Sequence, residues 1–405
     1  MRSNKALLKS GILLFLLISS SASFATFIET TIGTAVVNDA TATYYNAAAL
    51  TLLKNAQIIP IGSVSDFRTQ FTGSVFQPQT GLTRTGSTSS SLRTYSPSFY
   101  FGLPVSSKIT LGLALLSNSA NRNEDDNSIL RYVRGGNEIR DYDIVSGIAV
   151  KINEFFSLGG GINFSSLNLH LQPITRFPGP DSSDTESRNE CDGSGVGGNI
   201  GFLFKPQPNI LVGFNYRSAT TYRLYGSSIF ESTPQVVSNS YHLKLWTPAR
   251  SVLSMNYFVT PVAGIVATVQ RIQWHIFSNV HVSGIAAALG SRPIIVSATV
   301  PYYLHDSWLL TLGGHYRVTP KWIVRIAGTY NQSPGNSHYQ ISTGDSIVIG
   351  MSTGYEINKM LTVDGSYAHA FIQNENIAFA NSRGVVNGIN RASRDGITLK
   401  FTFNM

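Results

Sequence analysis

The sequence predicts an all-β protein, a transmembrane antiparallel β-barrel of about 14 strands. Three observations carry that prediction. Residues 1–25 have the layout of an export signal. The rest of the chain is poorly charged and rich in glycine and aromatic residues, with no second long apolar run. Its body divides into strand-sized stretches in which apolar and polar residues alternate.

The opening stretch is MRSNKALLKSGILLFLLISSSASFA. Arg2, Lys5 and Lys9 form a basic start, GILLFLLI (11–18) is the apolar centre, and Ser23-Phe24-Ala25 puts small residues at the minus-three and minus-one positions. This is the pattern of a secretory signal peptide cleaved after Ala25. The apolar run is far shorter than the ~20 residues a membrane-spanning helix needs. Cleavage leaves 380 residues (405 − 25) and lowers the formal charge from +8 to +5, because three bases and no acids leave.

Charged residues make up 13% of the chain, against about 25% in a typical soluble domain. There are 36 glycines and 40 Phe and Tyr side chains (22 + 18). An exported chain of this composition, without spanning helices, must close its backbone hydrogen bonds between strands, as an outer-membrane barrel does. The single Cys191 makes no intrachain disulfide. Its setting, NECDGSG, reads as a polar loop in which the thiol is incidental.

Alternation justifies the strands. In ILVGFNYRS (210–218), Ile210, Val212, Phe214 and Tyr216 oppose Leu211, Gly213, Asn215 and Arg217. SWLLTLGGHYR (307–317) and KWIVRIAGTYN (321–331) behave alike. A period of two sets one apolar face against one polar face. Trp308, Tyr316, Trp322 and Tyr330 are spaced to reach both membrane interfaces. Strands are expected near 57–69, 94–103, 109–119, 141–152, 155–171, 195–205, 209–224, 239–258, 262–275, 307–317, 321–332, 344–357, 360–373 and 392–403. That total is even, as in single-chain bacterial barrels. Short turns join some strands, such as VSSK (105–108), INEF (152–155) and EINK (356–359). The stretches 70–93, 119–140, 172–194, 225–238, 276–306, 332–343 and 374–391 read as long polar loops on the other side. NEDDN (123–127) and DSSDTESRNECD (181–192) are acidic but match no metal-ligand spacing, so they read as solvated charge. The chain ends Phe403-Asn404-Met405, with Phe401 and Phe403 on the lipid phase.

Residues 26–54 do not alternate. Ala-rich TATYYNAAALTLLKN can form a short helix. Ahead of a barrel, such a segment either hangs in the periplasm or folds back to plug the lumen.

The stretch GTAVVNDATATYYNAAALTLLKNAQIIP resembles the N-terminal hatch of the FadL/TodX outer-membrane transporters of long-chain fatty acids and hydrophobic compounds. The family pattern is of the form G-x-A-x-x-x-D-A-S-x-x-x-x-N-P-A-G-L-A. Gly33, Asp39, Ala40, Asn46, Ala48 and Leu50 match, while the pattern's proline is Ala47 and its glycine is Ala49. GFNYRSATTYRLYG (213–226), the segment 245–277 and the run from Asp306 to Ala370 extend the resemblance over most of the mature chain.

The resemblance implies three parts: a signal peptide (1–25), a hatch (26–54) and a fourteen-stranded transmembrane barrel (55–405). It implies that a hydrophobic ligand binds an apolar pocket, is released when the hatch rearranges, and leaves laterally through a kinked third strand. Carried over residue by residue, Thr26, Phe27 and Ile28 would reach the pocket, and Asn46, Ala47 and Ala48 would form the hatch corner. Leu116, Ser117, Asn118, Ser119 and Ala120 would form the lateral opening, with Ser119-Ala120 in place of a glycine common there. A long acyl chain gains about 0.8 kcal/mol per buried CH₂, which requires an apolar site.

A carboxylate head would need inward bases. Alternation points Arg217, His315, Arg317, Arg325 and Lys400 inward, where they are carboxylate binders or pair with Asp364 and Glu356. Outer-membrane lipid, lipopolysaccharide and the barrel-assembly machinery are the expected partners of a monomeric barrel, with no nucleic acid and no cofactor. Fatty acids, alkanes and monoaromatics all suit an apolar pocket. A structural or adhesive barrel working through its loops is the reading from a different class. An outer-membrane hydrolase is the third, and no Ser/His pair stands out to support it.

Overall fold

The structure is a computed structural model and describes residues 27–124, 128–176, 184–289, 292–381 and 383–405. The expected signal peptide and Thr26 lie outside the described residues. Twenty strand segments form one antiparallel sheet. They combine into a closed barrel of 14 staves.

The first staves are β1 (Gln57–Gln77), β2 (Leu82–Pro104), β3 (Ile109–Glu124), β4 (Gly136–Lys151), β5 (Phe156–Gln172) with the short β6 (Ile174–Thr175), and β7 (Thr185–Gln207). Each of the next four staves is broken once. β8 (Ile210–Arg217) continues as β9 (Thr220–Phe230), and β10 (Val236–Thr247) as β11 (Arg250–Phe258). β12 (Ala263–Ile272) continues as β13 (Asn279–Leu289), and β14 (Arg292–Pro301) as β15 (Ser307–Thr319). Then come β16 (Trp322–Asn331), β17 (Ser346–Asn358), β18 (Leu361–Ile372) with β19 (Glu375–Asn381), and β20 (Gly384–Asn404). β20 pairs with β1 from Asn404↔Gln57 to Val385↔Phe76 and closes the barrel.

The alternation maps onto the two faces. Trp308, Tyr316, Trp322 and Tyr330 are exposed on the outer surface, while Asn215, Arg217, Ser307 and Thr311 are buried inside. Phe401 and Phe403 also face outward.

The expected long polar loops are corrected. Most of 70–93 is strand, since β1 and β2 pair without interruption from Gln57↔Gly102 to Gln77↔Leu82. Most of 276–306 is β13 and β14, and much of 374–391 is β19 and β20. β13 and β19 keep buried apolar residues such as Val280, Val282, Ile377 and Phe379, while in the Ser- and Thr-rich start of β2 (82–91) polar residues occupy both phases. The ladder persists there after the hydrophobic period has gone. Cys191 is corrected too: it lies in β7, buried and facing the lumen, rather than in a loop.

Residues 27–52 form short helical turns: α1 (Phe27–Ile32), α2 (Ala42–Tyr45) and 3₁₀ turns at Thr34–Val36 and Ala47–Leu52. They pack inside the barrel, against strands from β3 round to β18. Part of the contact is made at glycines. A Cβ at Gly102 would strike Leu53 and Ala40, one at Gly112 would strike Thr43, one at Gly159 would strike the Ala48 amide, and one at Gly213 would strike the Ala35 carbonyl. Glycine is needed there because the backbone of the N-terminal segment lies where side chains would stand. Gly33, between α1 and the first 3₁₀ turn, has φ 98°, a conformation that favours glycine.

Candidate functional site

The lumen is layered. Toward the long-loop end it is lined by buried apolar side chains. Leu167, Leu169 and Leu171 come from β5, Leu243 and Leu245 from β10, and Val280 and Val282 from β13. Trp274 and Phe277 enter this lining from the break between β12 and β13. Trp274 donates its indole N–H to Ser307 Oγ at 3.1 Å. The same break is tied from outside by Asp306, which accepts from Arg271 Nη2 at 2.8 Å and pairs with His275 Nδ1 at 2.7 Å. Burial pushes the Asp306 carboxyl up, but the hydrogen bonds from His275 and Arg271 outweigh it and hold it below the ordinary carboxylate range.

The floor of the apolar region is basic. Arg217 and Arg250 are cross-strand partners, and Arg250 is also opposite Ile272 of the apolar lining. Both guanidiniums lie over the Tyr44 ring, at 4.3 and 4.7 Å from its centroid. Arg217 Nη2 donates to the Tyr44 carbonyl at 2.8 Å. Its Nε and Nη1 are buried without a partner, as are both amide atoms of Asn199, its neighbour in register. A buried guanidinium with spare donors favours an anion.

Below this floor sits the N-terminal segment. Asn46 fixes its fold. Its Nδ2 donates to Ala35 O at 2.7 Å and to Phe202 O of β7 at 3.0 Å, and its Oδ1 accepts from Ala48 N at 3.2 Å. A second anchor is ionic. Lys400 of β20, 1% exposed, contacts Glu29 Oε1 at 2.8 Å and Asp39 Oδ2 at 2.6 Å. Asp364, opposite Lys400 in register, instead pairs with Arg325 at 2.9 Å.

The five candidate bases are therefore not brought together. Arg217 borders the apolar lining. Lys400 is held by two carboxylates of the N-terminal segment. His315, Arg317 and Arg325 line a separate cavity of about 250 Å³ on the short-turn side of that segment. Of the expected ion pairs, Arg325–Asp364 is present, while Lys400 takes Glu29 and Asp39 rather than Asp364 or Glu356. Ile28 is fully buried in α1, a helix packed against β15 to β18 rather than against the apolar lining. Leu116 to Ala120 lie within β3. There the β2–β3 ladder skips two pairs without changing register, from Tyr95↔Ser119 to Ser98↔Leu116. Pro97 stands in the gap and has no N–H to donate.

Sequence reasoning missed Arg250, Trp274 and Phe277. Arg250 follows Pro248-Ala249, a strand break that resets the alternation, and Trp274 and Phe277 lie in a non-strand break.

This is an outer-membrane barrel with an apolar interior and an internal N-terminal segment. A family described as outer membrane protein transport protein (OMPP1/FadL/TodX) matches residues 30–404, and the chain belongs to that family. It is accordingly an outer-membrane transporter of hydrophobic compounds and not an enzyme. Among solved structures it is similar to a Pseudomonas aeruginosa FadL homologue, with 18% identity, 92% of this chain and 95% of that one covered, and a TM-score of 0.80. It is also similar to the Pseudomonas putida toluene transporter TodX (12% identity, 93% and 97% covered, TM-score 0.70). The CymD monoaromatic hydrocarbon channel matches at 15% identity, with 92% and 94% covered and a TM-score of 0.66. No curated protein sequence matches the chain.

Proposed function

We propose that this protein takes long-chain fatty acids across the outer membrane, with residues 1–25 removed on export and residues 26–54 acting as a ligand-gated hatch. The observation that carries this reading is the buried Arg217, with two donors unpartnered, at the floor of an apolar lumen lining. The acyl chain lies among the leucines and Trp274, and the carboxylate meets Arg217 beside Arg250. Ligand arriving at Arg217 competes for its bond to the Tyr44 carbonyl and so loosens the hatch, whose corner is Asn46-Ala47-Ala48. Release is lateral, through the gap where Pro97 interrupts pairing with Leu116 to Ala120 of β3.

A monoaromatic hydrocarbon is the second reading, favoured by the likeness to toluene and monoaromatic channels. Such a ligand has no use for Arg217.

The test is uptake of a labelled long-chain fatty acid by cells lacking their own transporter. The expected result is uptake by the parent, reduced in Asn46→Ala, in a variant lacking residues 26–28, and in Arg217→Gln. No uptake by a barrel shown to be in the outer membrane removes fatty acids. Toluene uptake that ignores Arg217→Gln establishes the second reading.

A further inference from the structure

We propose that the cavity on the short-turn side of the N-terminal segment is a second ligand site, which takes a small amphipathic monocarboxylate from the periplasm. It goes beyond the lumen reading and stands whichever compound crosses the lumen.

The cavity holds about 250 Å³, roughly eight waters at about 30 Å³ each. One wall is apolar, formed by Ile32 and Val36 of the N-terminal segment with Leu211 and Phe258 of the barrel. The adjoining part of the lining is basic. Arg325 is occupied by Asp364. The Arg317 guanidinium donates to the Pro320 carbonyl at 2.9 Å. Among the described residues, neither Arg317 nor Lys321 forms an ion pair. Glu356 is the carboxylate that lines the cavity. Two unpaired cations against one carboxylate leave a surplus of one positive charge, which matches a monoanion. Apolar and basic parts of one lining fit a short apolar tail beside a carboxylate.

A third observation also asks for a ligand. Asn256, 4% exposed, lines the cavity with its Oδ1 unpartnered. Its Nδ2 donates to the Ile32 carbonyl at 3.4 Å. An orphan acceptor takes a donor, which a water held between Oδ1 and a bound carboxylate supplies. The mouth is on the periplasmic side. Pro261 and Val262 lie in or beside the short turn between β11 and β12, and Lys321 lies in the one between β15 and β16. Short turns mark that face of bacterial barrels.

The experiment titrates the purified full-length protein, in a nonionic detergent, with 6,6,6-trifluorohexanoate and the corresponding trifluorohexanol, read by ¹⁹F NMR line broadening. The expected result is saturable binding of the acid and not of the alcohol. In Arg317→Gln/Lys321→Gln the acid binds about tenfold more weakly or worse, a loss of about 1.4 kcal/mol. Arg317→Lys/Lys321→Arg keeps the charge and retains binding, which separates charge loss from misfolding. Excess oleate, which competes for the lumen and is too long for the cavity, leaves this binding unchanged. Equal binding of acid and alcohol, or acid binding that survives loss of both charges, overturns the proposal. Displacement by oleate overturns it as well, because the acid is then in the lumen. Fatty-acid uptake is measured separately, so failure of the lumen reading gives a different pattern.

Discussion

The two halves of the lumen are built on opposite principles. The long-loop half is lined by leucine, valine and aromatic side chains that need no specific partner. The short-turn half is filled by the N-terminal segment, held by directional contacts: the Lys400 pairs, three Asn46 hydrogen bonds and a stripe of wall glycines. Apolar packing tolerates a range of shapes, as a site for hydrophobic compounds must. Buried ion pairs and amide bonds exist in one geometry or not at all. The difference explains how one barrel combines a permissive interior with a segment held by specific contacts.

The comparison breaks most severely at Lys400. Lys400→Met leaves Glu29 and Asp39 buried without their cation, a loss of about 3–5 kcal/mol. Hydrogen exchange across residues 27–52 should rise strongly while the strand amides stay protected. Equal loss of protection in the strands would show that the pair holds the barrel and not the segment.

Asn46→Ala comes next. It removes three hydrogen bonds, each worth about 0.5–1.5 kcal/mol net, and leaves the carbonyls of Ala35 and Phe202 short of a donor. Protease access to residues 27–52 should increase, by less than in Lys400→Met.

In the apolar half, Trp274→Ala should cost about 3–5 kcal/mol locally if the site were rigid. The flanking break can collapse, so the expected loss of stability falls below that of Asn46→Ala. Affinity for a hydrophobic ligand should fall instead, read by equilibrium binding. A large drop in melting temperature with unchanged affinity would show that Trp274 is structural.

The β2–β3 gap offers a sharper kinetic test. In a Cys191→Ser background, cysteines at Ser98 and Leu116, which face each other in register, should cross-link and slow uptake. The reduced form should regain it.

The smallest effect belongs to Asp306. Its carboxyl is held below its ordinary value, so its contribution is complete above the unfolded pKa of about 3.9 and is lost only as pH falls through the lower folded value. Trp fluorescence should therefore shift as the pH falls below about 3.9. Asp306→Asn should show the shifted signal at every pH.

How much the chain discloses depends on its surroundings. Lipid demands an apolar outer phase, so each membrane-spanning stave was legible from alternation alone, and with it the inward placement of Arg217, His315, Arg317, Arg325 and Lys400. The extension of β2 beyond the membrane was not legible, because water sets no demand on a Ser- and Thr-rich stretch such as Leu82 to Ser91. Arg250 was hidden by Pro248-Ala249, where the phase restarts, and Cys191 by polar neighbours that turned out to be the outer face of β7.

The sequence by itself determined the number of staves and which side chains face inward, because these follow from local composition and a period of two. The tertiary structure alone decided which inward residues meet. Lys400 finds Glu29 from 371 positions away, Arg217 finds Tyr44 from 173, and the wall glycines find the backbone of the N-terminal segment. Periodicity gives each residue a face. Only closure of the barrel around its own N-terminal segment sets that face opposite a partner, since contacts across a lumen depend on stagger and height that no local pattern encodes.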